Sequence, residues 1–276
     1  MTVFLVVAGY PVDGNREDWK IYQKVHDDHF GPCVQKYAEK LKEYGLPDLP
    51  ESSLCFPSPW LNIYAYPKEL DYFDIRPLPP KWKSFDHFIR SLDTMNRDKD
   101  FSLPEWFEKL PGKLIYVSMG SMGGRVTKLI ETIVQTLSKI PHRFILVMGP
   151  NFGKIQLPSN IFGGEYFPQL QILPKIDLFI THGGNNSVLE SLYFGKPLVV
   201  SPLFADQNDN AQRLTETGYG KRINIFTIDS KELETIIDNV FQDKNMKIKL
   251  ENISKRLQNS NSTQSVADSI LEIANY

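Results

Sequence analysis

The stretch Asp177-Leu178-Phe179-Ile180-Thr181-His182-Gly183-Gly184-Asn185-Asn186-Ser187-Val188-Leu189-Glu190 decides the fold. It begins as an apolar run, turns on two glycines and continues as a short helix. That order is the strand–turn–helix unit of a parallel sheet. Glycines at such a turn, here Gly183 and Gly184, let the backbone approach a ligand closely. The first N–H groups of the helix lack intrahelical acceptors and carry the positive end of its dipole, which suits phosphate. His182 at the strand end adds a charge-assisted donor. Asn186 and Ser187 can cap the helix or donate to a phosphate oxygen. Glu190, one turn in, can accept from two adjacent ribose hydroxyls.

Two further elements flank this one. After the strand 197–201 comes Pro202-Leu203-Phe204-Ala205-Asp206-Gln207, whose acid and amide offer acceptors and donors for a sugar's hydroxyls. Before it lies Ser118-Met119-Gly120-Ser121-Met122-Gly123-Gly124, again strand, glycine turn and helix. Taken alone, the glycine run is as easily a tight turn, Asp206-Gln207 an ordinary loop, and His182 a structural residue. Their placement at three strand ends on one rim favours a ligand site.

Outward from these motifs the chain alternates regularly. Strands are predicted over 113–118, 143–148, 176–181, 197–201 and 221–225. Helices are predicted over 126–140, 187–194, 208–217, 231–241, 246–257 and 263–274, with apolar residues of the first at 126, 129, 130, 133, 134, 137 and 140. This is a doubly wound α/β pattern with a parallel sheet covered on both faces. Residues 46–105 read differently. Prolines recur among aromatics, which forbids long helices and central strands and predicts an ordered connection, with one short helix over 85–96. Residues 3–8 suit a short strand. Residues 17–44 have helical spacing that Pro32 must kink or break, and Gly45 is a stop.

Composition is that of a soluble globular protein: 276 residues, 41% hydrophobic, 23% charged, net charge −2. Such a balance points to no nucleic-acid and no membrane-surface partner. The apolar run at 3–8 is too short for a signal core or a membrane span, so a cytoplasmic protein without a membrane anchor is expected. Cys33 and Cys55 fall in no metal-binding spacing; two free thiols is the preferred reading, one disulfide the alternative. His26 and His29, beside Asp27 and Asp28, read as a solvated helix face, and His87 and His142 as surface or packing residues.

The His-Gly-Gly, Asn-Ser and Glu pattern at 182–190, the element Tyr166-Phe167-Pro168-Gln169 and the run Pro202 to Gln207 resemble the UDP-glycosyltransferase family. These are two-lobed enzymes of GT-B fold that use uridine-diphosphate sugars. The likeness spans about residues 100–276 and is densest from 166 to 220. It implies that Tyr166, where many members carry Trp, stacks on uracil. Gln169 would contact uridine and Glu190 the ribose. Ser121, His182, Gly184, Asn186 and Ser187 would hold the diphosphate, and Asp206 and Gln207 the transferred sugar, with glucose the favoured one.

The resemblance also implies what to look for upstream. Family members begin with a strand and a His-Gly turn whose histidine is the general base, helped by an aspartate. Gly9-Tyr10-Pro11 has no histidine, and residues 17–44 better resemble the end of that lobe. The expected division is therefore residues 1–100, a remnant of the acceptor lobe plus the connection, and residues 101–276, the UDP-sugar domain. The catalytic residues stay unassigned. The implied activity is inverting transfer to a hydroxyl of a small lipophilic acceptor. The UDP-sugar is a co-substrate, no cofactor is needed, and no metal is expected because side chains and a helix dipole face the diphosphate. The alternatives are a non-catalytic UDP-binding subunit and a UDP-sugar epimerase of the same fold.

Overall fold

The computed structural model describes residues 16–48, 57–73, 77–89 and 101–274. A helix α1 (Arg16–Glu43) comes first, then strands β1 (Asn62–Ala65) and β2 (Trp82–Phe85), and a single-turn helix α2 (Glu105–Glu108). The body follows: β3 (Leu114–Ser118), α3 (Gly120–Gly123), α4 (Thr127–Leu137), β4 (Arg143–Val147), β5 (Ile161–Gly164), α5 (Gln169–Ile172), β6 (Leu178–Thr181), α6 (Asn185–Tyr193), β7 (Leu198–Val200), α7 (Gln207–Thr217) and β8 (Gly220–Arg222). Helices α8 (Ser230–Gln242), α9 (Lys244–Gln258) and α10 (Ser262–Ala274) end it.

Strands β3 to β8 form one parallel sheet in the order β5-β4-β3-β6-β7-β8. Every residue of β3, β6 and β7 is buried, as a sheet covered on both faces requires. Tyr116 and Phe179 are register partners across β3 and β6, and their rings stack with centroids 4.9 Å apart. Right-handed crossovers put α4 on one face and α6 and α7 on the other. The winding therefore reverses between β3 and β6. In such sheets the ligand crevice lies beyond the carboxyl ends of the two strands at the reversal.

The connection segment is fastened to this body. Strands β1 and β2 pair in parallel with each other. The Arg256 guanidinium on α9 donates two 2.5 Å hydrogen bonds to Glu69 and one of 2.6 Å to Asp86. His87, a buried packing residue, places Nε2 2.9 Å from the Leu257 carbonyl. On α7, Arg213 donates to the carbonyls of Leu70 and Asp71 and lies over the Tyr72 ring. On α6, Asn185 Nδ2 donates to the Ala65 carbonyl at 3.0 Å. Residues 57–73 and 77–89 thus pack on the body.

Three expectations change. Strand β5 was not anticipated: it ends in Gly163 and Gly164, where Met148, Leu157 and Phe167 occupy the space that side chains would need. The helix expected over 85–96 does not start there, because Phe85 closes β2 and residues 87–89 are irregular; 90–96 lie outside the described residues. Helix α1 continues through Pro32. Pro32 is exposed, so the carbonyl it leaves free four residues earlier faces water. Gly45, at φ +66, does stop it. The strand expected over 3–8 lies outside the described residues, as does Cys55; Cys33 is a free, exposed thiol.

Candidate functional site

At the reversal, β3 runs into Gly120 and β6 into Gly183 and Gly184, and His182 lies between the two turns. A Cβ placed on Gly120 would fall 2.6 Å from His182 Nε2, and one on Gly184 would also fall 2.6 Å from it. Gly120 has φ +70 as well. Only glycine on both sides leaves room for this imidazole. Thr181 Oγ1 is 3.2 Å from Nδ1. Burial pushes the imidazole pKa below its usual value, against a hydrogen bond to the Ser118 carbonyl and the charge of Asp206. At neutral pH the ring therefore donates as a neutral group; an anion brought alongside would favour its protonation.

Helix α6 begins at Asn185, two residues earlier than the spacing predicted, with Gly184 as N-cap and no side-chain cap. Asn186 is exposed and Ser187 half-buried, and neither caps the helix. Burial raises the Asp206 pKa, and the nearby N–H of Asn185 and the Asn210 amide oppose this. Ser121 stands exposed on α3 across the crevice mouth.

Gln169, the first residue of α5, donates to Glu190 at 2.6 Å and to Ser187 Oγ at 3.4 Å. This fixes the Glu190 carboxylate before any ligand arrives. Tyr166, just past β5, is 80% exposed, a bare aromatic face at the rim. Sequence spacing placed these residues on one rim, and the structure joins Gln169, Ser187 and Glu190 directly.

Asp206 and Gln207 separate. Gln207 is only 4% exposed, and its Oε1 accepts from the backbone N–H groups of Leu203 and Phe204 at 2.9 and 3.1 Å. It closes the β7–α7 loop and does not project into the crevice as expected. The loop leaves two N–H groups without strand or helix partners, and the amide carbonyl satisfies them. Asp206 stays half-buried beside Asn185. Sequence reasoning missed Asn185 and Asn210; Asp206 and Asn210, four apart across the start of a predicted helix, were the available signal.

Burial raises the Glu190 pKa, and the Gln169 hydrogen bond only partly opposes this. The folded state then holds the proton more tightly than the unfolded chain. Glu190 thus opposes folding more as pH rises through the span between the ordinary and the raised value. Glu190→Gln is expected to unfold at the same temperature as wild type in acid and at a higher one at neutral pH. Thermal unfolding across pH checks this; a lower melting temperature at pH 7 would show the carboxylate to be structural.

Comparison with known proteins fits this geometry. A sequence model described as UDP-glucoronosyl and UDP-glucosyl transferase matches residues 100–260, which covers more than half of the chain. The chain belongs to this family. Among its relatives, an uncharacterized UDP-glucosyltransferase of Bacillus subtilis, YojK, is 31% identical over 162 residues, 58% of this chain and 40% of that protein. Human UDP-glucuronosyltransferase 1A6 is 33% identical over 196 residues, 69% of this chain and 35% of that one. The chain thus spans about two fifths of the relatives it matches. The glycotransferase of kitacinnamycin shares the fold, with TM-score 0.72, 23% identity and coverage of 93% of this chain and 65% of that one. The calicheamicin glycosyltransferase also shares it, with TM-score 0.63 and 18% identity over 87% of this chain and 60% of that one. The family fold is therefore the GT-B-type, doubly wound parallel α/β arrangement read from the sequence. Among the described residues no helix is long and apolar enough to cross a membrane.

Proposed function

We propose that residues 101–276 hold a UDP-sugar and that the protein serves the transfer of glucose from UDP-glucose to a hydroxyl of a small lipophilic acceptor, with inversion. The observation that carries this reading is His182 wedged between Gly120 and Gly184 at the mouth of α6, on the same rim as a carboxylate that Gln169 holds at a cost to stability. A strained or costly group at a crevice is a mark of a site kept for function.

In this reading Tyr166 stacks on the uracil and Gln169 contacts the uridine. Glu190 accepts from the ribose hydroxyls. Ser121, His182, Gly184, Asn186, Ser187 and the N-terminus of α6 meet the diphosphate, whose charge grows as it departs. Asp206 takes a sugar hydroxyl. Removing the acceptor's proton needs a base near the attacking oxygen, and we assign that role to none of the described residues. Cys33, a free exposed thiol, fits the cytoplasmic reading.

Calorimetric titration of UDP into the whole chain tests the donor site. Binding that His182→Ala and Glu190→Ala each weaken about tenfold or more supports it. A folded chain that binds no UDP would sink it. A second reading is a non-catalytic UDP-binding subunit. UDP binding with no transfer of glucose to a phenol would favour that one.

A further inference from the structure

Asn210 on α7 is 4% exposed and touches no surface a ligand could reach. Its Nδ2 donates to the Gly183 carbonyl at 2.8 Å and to Asp206 Oδ2 at 3.2 Å. One amide thus ties the glycine turn after β6 to the acid before α7. We propose that Asn210 is a positioning residue: through Gly183 and Asp206 it sets the direction of the backbone N–H groups that meet the diphosphate. The inference rests on the donor-site reading above.

The turn needs such a tie. Gly183 has φ +83, and a Cβ there would fall 2.5 Å from Val200 Cγ1, so the position admits only glycine. A glycine peptide swings easily. The peptide unit is planar and trans, so its C=O and the next N–H point in opposite directions. Holding the Gly183 carbonyl against α7 therefore aims the Gly184 N–H away from α7. The next N–H, that of Asn185, is near enough to the Asp206 carboxylate to favour its charge. Asn210 grips both ends of this short arc.

The same geometry redefines Asp206. Its Oδ2 accepts from Asn210 at 3.2 Å, and the backbone N–H groups of Asn185 and of Asp206 itself favour its charge. An ionised carboxylate has about four acceptor positions, and Asn210 takes one of them. Asp206 works first as a strut of the diphosphate turn and only then as a contact for a sugar. Its loss, like that of Asn210, then weakens UDP itself, which carries no sugar.

The test compares UDP, UDP-glucose and uridine by calorimetry, with direct or competition titrations on the full chain, for wild type, Asn210→Leu, Asn210→Asp and Asp206→Asn. Thermal unfolding of each variant is measured alongside. Asn210→Asp keeps the size and carries the test if Asn210→Leu does not fold. The expected result is a loss of about tenfold in UDP affinity for both Asn210 variants, with a parallel loss for Asp206→Asn and uridine affinity within about twofold of wild type. A purely structural role would lower the melting temperature and weaken uridine and UDP alike, which overturns the proposal. Weakening of UDP-glucose with UDP unchanged also overturns it, because Asp206 would then be a sugar contact alone. Wild type that binds neither UDP nor uridine refutes the donor-site reading, and the proposal with it.

Discussion

Gly120→Ala is expected to reduce UDP affinity by about a hundredfold, equivalent to roughly 3 kcal/mol. The added methyl carbon meets the His182 ring at 2.6 Å. The backbone cannot yield cheaply, because φ is +70, and the left-handed region costs a residue with a Cβ roughly 1–2 kcal/mol. The ring must therefore leave the gap between the two glycine turns, and its donor leaves with it. Gly153→Ala is the control. Gly153 has φ +78 with nothing within 4 Å of the added carbon, so it suffers the strain without the collision. Both variants should lose similar stability in urea. Only Gly120→Ala should lose UDP, as read by calorimetry. Equal affinities for the two variants would remove His182 from the phosphate site.

Arg256→Leu is expected to destabilise the fold by about 2–3 kcal/mol. Its side chain is 29% exposed, and those of Glu69 and Asp86 are 22% and 23% exposed. Two partly buried carboxylates would lose their shared cation. Water at the rim of the cluster keeps the figure below that for a fully buried pair. Arg256→Lys should restore less than half, since an ammonium cannot match the forked contact with Glu69 and still reach Asp86. The pH dependence has a definite sign. Burial alone would raise the Asp86 pKa, but hydrogen bonds from Ser260 and Arg256 and the Arg256 charge bring it below the usual range. Its contribution is therefore full above the ordinary aspartate pKa and is lost as pH falls through the lowered one. Wild type and Arg256→Leu should converge in acid. Urea unfolding at pH 7 and near pH 3 measures both gaps. A constant difference across pH would assign the effect of Arg256 to packing of its stem.

The body of the fold was legible because its strands are short, apolar and separated by helical spacing, a combination that only a two-sided sheet satisfies. Strand β5 escaped because Gly163 and Gly164 stand where branched residues usually mark a strand. The rim of the site was legible too, since Tyr166, Gln169, His182, Glu190 and Asp206 sit at strand ends or one turn into a helix. Side-chain direction was not. Gln207 and Asp206 are neighbours in sequence, yet one turns inward to satisfy the loop's N–H groups and the other stays at the crevice. Nothing in the local sequence marks Arg213 or Arg256. Their partners lie more than 140 residues away, and no local pattern announces a contact of that range.

For anyone shortening the gene, the fastening of residues 57–89 sets the safe cut. A version beginning at residue 101 would strip Glu69 and Asp86 from Arg256, the Leu70 and Asp71 carbonyls from Arg213, and the Ala65 carbonyl from Asn185. It would also remove Leu70, which is fully buried in the apolar core, and Tyr72, whose ring lies under Arg213 of α7. Such a fragment should express as aggregate, whereas one beginning near residue 57 keeps its own lining and is the sensible unit for crystallisation with UDP.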